Sequence, residues 1–293
     1  MVMDYVRKAW EAYKKNAVQF IVILLLTIIA MVAIMFVTMI PVLGPLAYSL
    51  EELGDNPVPD EVVATFASQA GLIPSLIIAF FIIMLFGTAM EIALIQLSYE
   101  AVKGESKIES LIPTIGKYFL RSIIATFLLG IVLMVPFGLI VGSAFTLLGT
   151  GAIGVLILAY MFLIIASIYL RFYMHAIVID NKGAWASLKF SYNTVKGHFM
   201  ELVGLFILHF CVIIFVMIIN FIIPLISLIN TFVVTPVFLI AYTMFYLKNR
   251  PSKTKYTRLK TTTRKKVTRK KTVRKPIKKK IVKRKPKRKT RRR

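Results

Sequence analysis

The last 43 residues, Pro251–Arg293, contain no aspartate or glutamate, yet they hold 24 of the chain's 38 lysines and arginines. All 13 acidic residues lie in the first 250, where 14 basic residues nearly balance them. Almost the whole net charge of +25 therefore sits on one segment. That segment has a single aromatic residue, Tyr256, which excludes base stacking as its binding mode. With little apolar content and one sign of charge it cannot fold alone, so the sequence predicts a disordered tail. Cysteine is nearly missing. Cys211 stands alone, so no disulfide can form within the chain, and it reads as a small apolar residue. Histidine is scarce too. His175, His198 and His209 are dispersed, with no cysteine or carboxylate at metal-ligand spacing, and no metal site is expected. The chain has no phosphate-binding glycine loop, no Gly-x-Ser-x-Gly and no carboxylate pair inside an apolar run. No catalytic nucleophile or base can be named, and no cofactor is implied.

What the chain does have is long apolar runs. It is 58% hydrophobic with a mean hydropathy of +0.76, well above a soluble domain. Such runs cross a hydrocarbon core of roughly 30 Å as helices, because only a helix satisfies its own backbone there. Six spans are predicted: Ala17–Ile40, Leu72–Leu97, Leu120–Phe145, Ile153–Leu170, Phe199–Ile223 and Ile229–Leu247. The expected fold is all-α, a polytopic membrane bundle over residues 1–250 built as three helical hairpins, followed by the basic tail 251–293. The segment before the first span carries Asp4 and Glu11 among its basic residues and no small-residue cleavage site follows the run, so it reads as a retained anchor.

The connecting segments alternate in charge. Arg7, Lys8, Lys14 and Lys15 precede the first span. The next loop, Pro41–Gly71, holds Glu51, Glu52, Asp55, Asp60 and Glu61 and no basic residue. Lys103, Lys107, Lys117 and Arg121 follow the second span, and Arg171, Lys182, Lys189 and Lys196 follow the fourth. The turns near Gly149–Gly151 and Pro224–Asn230 are uncharged. By the positive-inside rule, both termini and the tail are expected in the cytoplasm of a cell with this protein in its inner membrane. The acidic loop lacks the spacing of a calcium loop and reads as a solvated segment.

Each odd-numbered span is preceded by an amphipathic stretch with helical spacing. The apolar positions are Val6, Trp10, Tyr13 and Ala17; then Ile108, Leu111, Ile112, Ile115 and Phe119; then Trp185, Leu188, Tyr192 and Val195. Basic and small polar residues are expected on the opposite face, with the helices lying at the membrane interface. The chain thus reads as three copies of one unit: interfacial helix, span, short turn, span.

Glu91 is the one acidic residue well inside a span. A charge at that depth costs on the order of 3 kcal/mol on insertion scales, so it should face the interior and have a partner. Arg171 and His209 lie at compatible depths. The three form a candidate intramembrane polar group, either a proton or ion relay or a structural tie between helices.

The segment Arg171–Phe199 includes Ser187-Leu-Lys-Phe-Ser191 and Lys196-Gly-His-Phe199, and the third span contains Val135-Pro-Phe-Gly138. In these motifs and in layout the chain resembles a group of prokaryotic six-helix membrane proteins. That group includes the membrane domain found beside glycerophosphoryl diester phosphodiesterases. The resemblance implies the six-helix fold and no particular activity, and the phosphodiesterase catalytic domain is absent.

Within the tail, basic clusters recur at Arg264, Lys265 and Lys266, at Lys278, Lys279 and Lys280, and at Lys283, Arg284, Lys285, Lys287, Arg288 and Lys289. Two polyanions can meet them. Nucleic acid or ribosomal RNA would bind by counterion release. Anionic lipid headgroups attract each nearby basic residue by about 1 kcal/mol. Six spans need no further anchor, so the expectation is a non-enzymatic membrane protein whose tail engages nucleic acid or ribosome. The alternative is a transporter or lipid-handling protein with a lipid-binding regulatory tail.

Overall fold

The computed structural model describes residues 2–52, 72–148, 152–223 and 226–251. Six of its helices are long and apolar enough to cross a membrane, and no strand occurs among the described residues. The chain is a multi-pass membrane protein. In order, α1 is Val2–Glu52, α2 Leu72–Lys103, α3 Leu111–Leu148 and α4 Ala152–Leu170. The short α5, Tyr173–Val178, and α6, Ala184–Val195, precede α7, Phe199–Ile222. The last span starts with the turn Ser227–Ile229 and a π-helical turn, Asn230–Val234, and continues as α8, Thr235–Asn249. The core lies along α8, where Ile240, Ala241, Tyr242, Phe245 and Tyr246 are all buried. Most other apolar side chains face outward along the spans, as a hydrocarbon solvent allows.

α1 kinks at Asn16, whose backbone leaves helical geometry (φ −122°, ψ 17°). The side chain holds the break together from a buried position. Its Nδ2 donates to the Ala12 carbonyl at 2.9 Å. Its Oδ1 accepts from the Ser106 backbone N–H at 2.9 Å and the Ser106 hydroxyl at 2.8 Å. Before the kink, Tyr5, Ala9 and Tyr13 face inward. Tyr5 packs on Phe245 with ring centroids 6.0 Å apart, and the Tyr13 hydroxyl donates to the Phe232 carbonyl in the π turn at 2.7 Å. Trp10 stays exposed beneath Lys14. The buried face is therefore turned by about one residue from the expected Val6–Trp10 line. The small Ala9 is fully buried on that face, and the Tyr13 hydroxyl finds its partner inside.

α1 also continues to Glu52, past Pro41 and Pro45, where the sequence predicted a loop. The residues between are mostly apolar, and a proline forfeits one hydrogen bond in such a helix without necessarily ending it. The rest of the acidic loop, residues 53–71, lies outside the described residues, as do tail residues 252–293.

α3 runs unbroken from Leu111, so the second amphipathic stretch forms the opening turns of the span, and Pro113 and Gly116 do not interrupt it. Glu100 ties α2 to this start: its carboxylate accepts from Gln96, from the Lys107 N–H and from the Ser110 hydroxyl. In α6, Leu188 and Val195 are buried while Trp185 and Tyr192 are exposed. Ser187, Ser191 and Thr194 are buried as well, against the expectation that small polar residues face outward. Their hydroxyls bond to backbone carbonyls, and their small size lets α6 press against the bundle.

Candidate functional site

α4 ends at Leu170, and the chain turns sharply through Arg171 and Phe172 into α5. Ser191 on α6 makes this break tolerable in an apolar setting. Its hydroxyl accepts from the Phe172 N–H and donates to the Tyr169 carbonyl, both at 2.9 Å. Phe172 is fully buried, stacked on Phe245 (5.5 Å) and edge-on to His175 (5.3 Å). With the flanking Tyr169 and Phe172 both tied to Ser191, Arg171 is held at a fixed place beside the spans.

Arg171 lines a cavity of about 800 Å³ between α2, α3, α4 and α7. Glu91 on α2 lines it too. Among the described residues no direct ion pair joins them. Tyr173, also at the cavity, exchanges a hydrogen bond with Thr126 on α3 at 3.1 Å. Apart from Tyr160 and Ser167 the remaining walls are apolar, with Leu129, Leu133, Leu163 and Phe206 among them. α4 packs on α3 and α6 and touches α7 only slightly. Tyr160 and Ile164 of α4 and Ile207 and Phe210 of α7 line the cavity and are exposed, so it opens sideways between these two spans.

His209, the third predicted member, does not line the cavity. It joins through Tyr242, which is buried: the guanidinium carbon of Arg171 sits 5.6 Å from the Tyr242 ring centre, and the Tyr242 hydroxyl shares a hydrogen bond with His209 Nδ1 at 3.2 Å. His209 itself stacks on Phe238 at 4.1 Å. The structure thus brings Glu91 and Arg171 to one cavity and links His209 to them through a residue that sequence reasoning missed. The signal was a phenol in the middle of an apolar span. His175 is buried elsewhere, with Nε2 3.3 Å from the Thr243 hydroxyl, and His198 stands at the N-cap position of α7 without a side-chain capping bond.

A second polar group lies at the end of α8. The buried Asp180 accepts from the Tyr246 hydroxyl and from Arg250 Nη1, the latter at 2.8 Å. Next to it, Asn181 takes a left-handed conformation (φ 51°), which asparagine tolerates, and accepts from Arg121 at 2.6 Å. Lys248 pairs with Glu201 at 3.5 Å. The final residues before the basic tail are therefore clamped to the body. The acidic residue of the motif segment was visible in the sequence, but its partners 66 and 70 positions away were not.

The fold and these two groups define a six-span membrane protein with a laterally open, charged cavity. The chain belongs to the family defined by DUF7847, a domain of unknown function, whose model matches residues 1–248. That match covers the helical body and stops two residues short of Arg250. No curated protein and no solved structure matches the chain.

Proposed function

We propose that this is a non-enzymatic protein of the cell membrane, with both termini in the cytoplasm, whose body holds a basic tail that engages nucleic acid, DNA or ribosomal RNA. The single observation behind this reading is the partition of charge: 24 basic and no acidic residues after Arg250, on a body that is nearly neutral. Phosphate contacts on that scale are sequence-independent and strongly salt-dependent. We also propose that the body is kin to the six-helix membrane domains it resembles in layout.

Full-length protein in neutral detergent should bind duplex DNA or RNA without sequence preference. If six or more phosphates are met, affinity should fall roughly a thousandfold between 50 and 200 mM salt. The chain shortened to residues 1–250 should stay folded and lose binding. Glutamine at Lys278, Lys279, Lys280, Lys283, Arg284, Lys285, Lys287, Arg288 and Lys289 should weaken binding and flatten the salt slope. Absence of binding even at low salt would overturn the reading, and binding only to vesicles with anionic lipid would replace it with a lipid-bound tail.

The cavity favours a second reading for the body. A passive anchor needs a close-packed bundle. An opening of about 800 Å³ between two spans, with a carboxylate and a guanidinium inside, suits a protein that accommodates an amphiphile from the bilayer.

A further inference from the structure

The cavity is lined by one carboxyl group, Glu91, and one guanidinium, Arg171. In a bundle built for packing alone, Glu91 and Arg171 would close on each other, since an uncompensated charge among apolar walls is costly. They share the cavity without a direct ion pair, and Arg171 stays accessible. Each therefore presents an unused valence: a carboxylate that can take an ammonium and a guanidinium that can take a phosphate in bidentate fashion. Tyr160 and Ser167 add hydroxyls to the lining. The rest of the wall is apolar and its rim is exposed between α4 and α7.

Resting on the second reading above, we propose that this cavity is a binding site for one zwitterionic phospholipid with a primary-amine headgroup. Its phosphate sits on Arg171, its ammonium on Glu91, and part of its acyl chain lies along Leu129, Leu133 and Phe206. The pairing of one carboxyl with one guanidinium selects a zwitterion over an anionic lipid, because an anion would satisfy Arg171 and leave Glu91 without a cationic partner. The volume falls in the roughly 300–1,000 Å³ range of small-ligand sites, enough for a headgroup and part of a chain. The remaining chain length leaves through the opening between α4 and α7 into the bilayer. Tyr242, behind the guanidinium and bonded to His209, is a positioning residue for Arg171.

The test is native mass spectrometry of the full chain in maltoside micelles with equal dioleoyl phosphatidylethanolamine and dioleoyl phosphatidylglycerol. Salt at about 0.5 M reduces the screening length to a few ångström and suppresses lipid binding by the tail. Wild type should retain one phosphatidylethanolamine, about tenfold in preference to phosphatidylglycerol. Glu91→Gln should remove the preference while keeping a lipid, and Arg171→Gln should lose the retained lipid. Ile207→Trp fills the exposed rim without touching a charge or the core, and it should also lose the lipid. Phe215→Trp, an exposed residue of α7 outside the cavity, should behave as wild type. A lipid retained without headgroup preference, and indifferent to Glu91→Gln and Arg171→Gln, would overturn the headgroup assignment and leave the amphiphile reading intact. No retained lipid in wild type, or equal retention in Ile207→Trp, would overturn both.

Discussion

Ser191 shows how much a single hydroxyl can govern in an apolar setting. The helix break at Arg171 frees a backbone N–H at Phe172 and a carbonyl at Tyr169, and water is not at hand in a bilayer to satisfy them. One buried hydroxyl meets both. Ser191→Ala should leave two unpaired backbone groups, and since each costs about 1–3 kcal/mol, a loss of about 2 kcal/mol is expected after partial relaxation. Reversible unfolding in mixed micelles measures it. A change below about 0.5 kcal/mol, the size of an ordinary surface substitution, would show that the bridge contributes little. At this scale the sequence was partly readable. Glu91 and Arg171 stand out because charge is expensive inside an apolar run. Tyr242 does not, because a phenol passes as an aromatic until its hydroxyl is seen against His209.

Among the elements, the six spans were legible from length and hydropathy alone, since any apolar run long enough must be a helix. The short amphipathic segments were harder. Their apolar faces were expected to meet lipid, yet α6 buries Ser187, Ser191 and Thr194, and the start of α1 turns Tyr5, Ala9 and Tyr13 inward. Helical spacing identifies a face without saying whether it meets lipid or protein, and in membranes small polar residues often mark the protein side. The kink in α1 follows from the same logic. Asn16 and Ser106 are 90 positions apart and share two hydrogen bonds. Asn16→Ala should straighten or loosen this junction at a cost of about 2 kcal/mol, because two donors lose their acceptor. Ser106→Ala should cost less, since its backbone N–H keeps Asn16. The double variant should cost less than the two single variants added together, as expected for residues in direct contact. Full additivity in the same unfolding measurement would break the assigned link.

Over the whole molecule, the proposed topology is open to a direct check. The partition of basic residues among the connecting segments predicts that reporters fused after Glu61 and after Lys182 fall on opposite sides of the membrane. Reporters on the same side would refute it. The six apolar spans were legible, because hydropathy is a one-dimensional property. The cavity was not legible, since it arises from how loosely α4 meets α7, a relation between segments that no single run encodes. Arg250 is tied to Asp180 on the turn after α5, and Tyr246, one helical turn earlier, is tied to the same carboxylate. A force arriving at Arg250 would reach this knot before it reached the α8 backbone. The force would pass sideways into the turn after α5 as well as along α8, so the last helix would be loaded in shear and would resist peeling from its end.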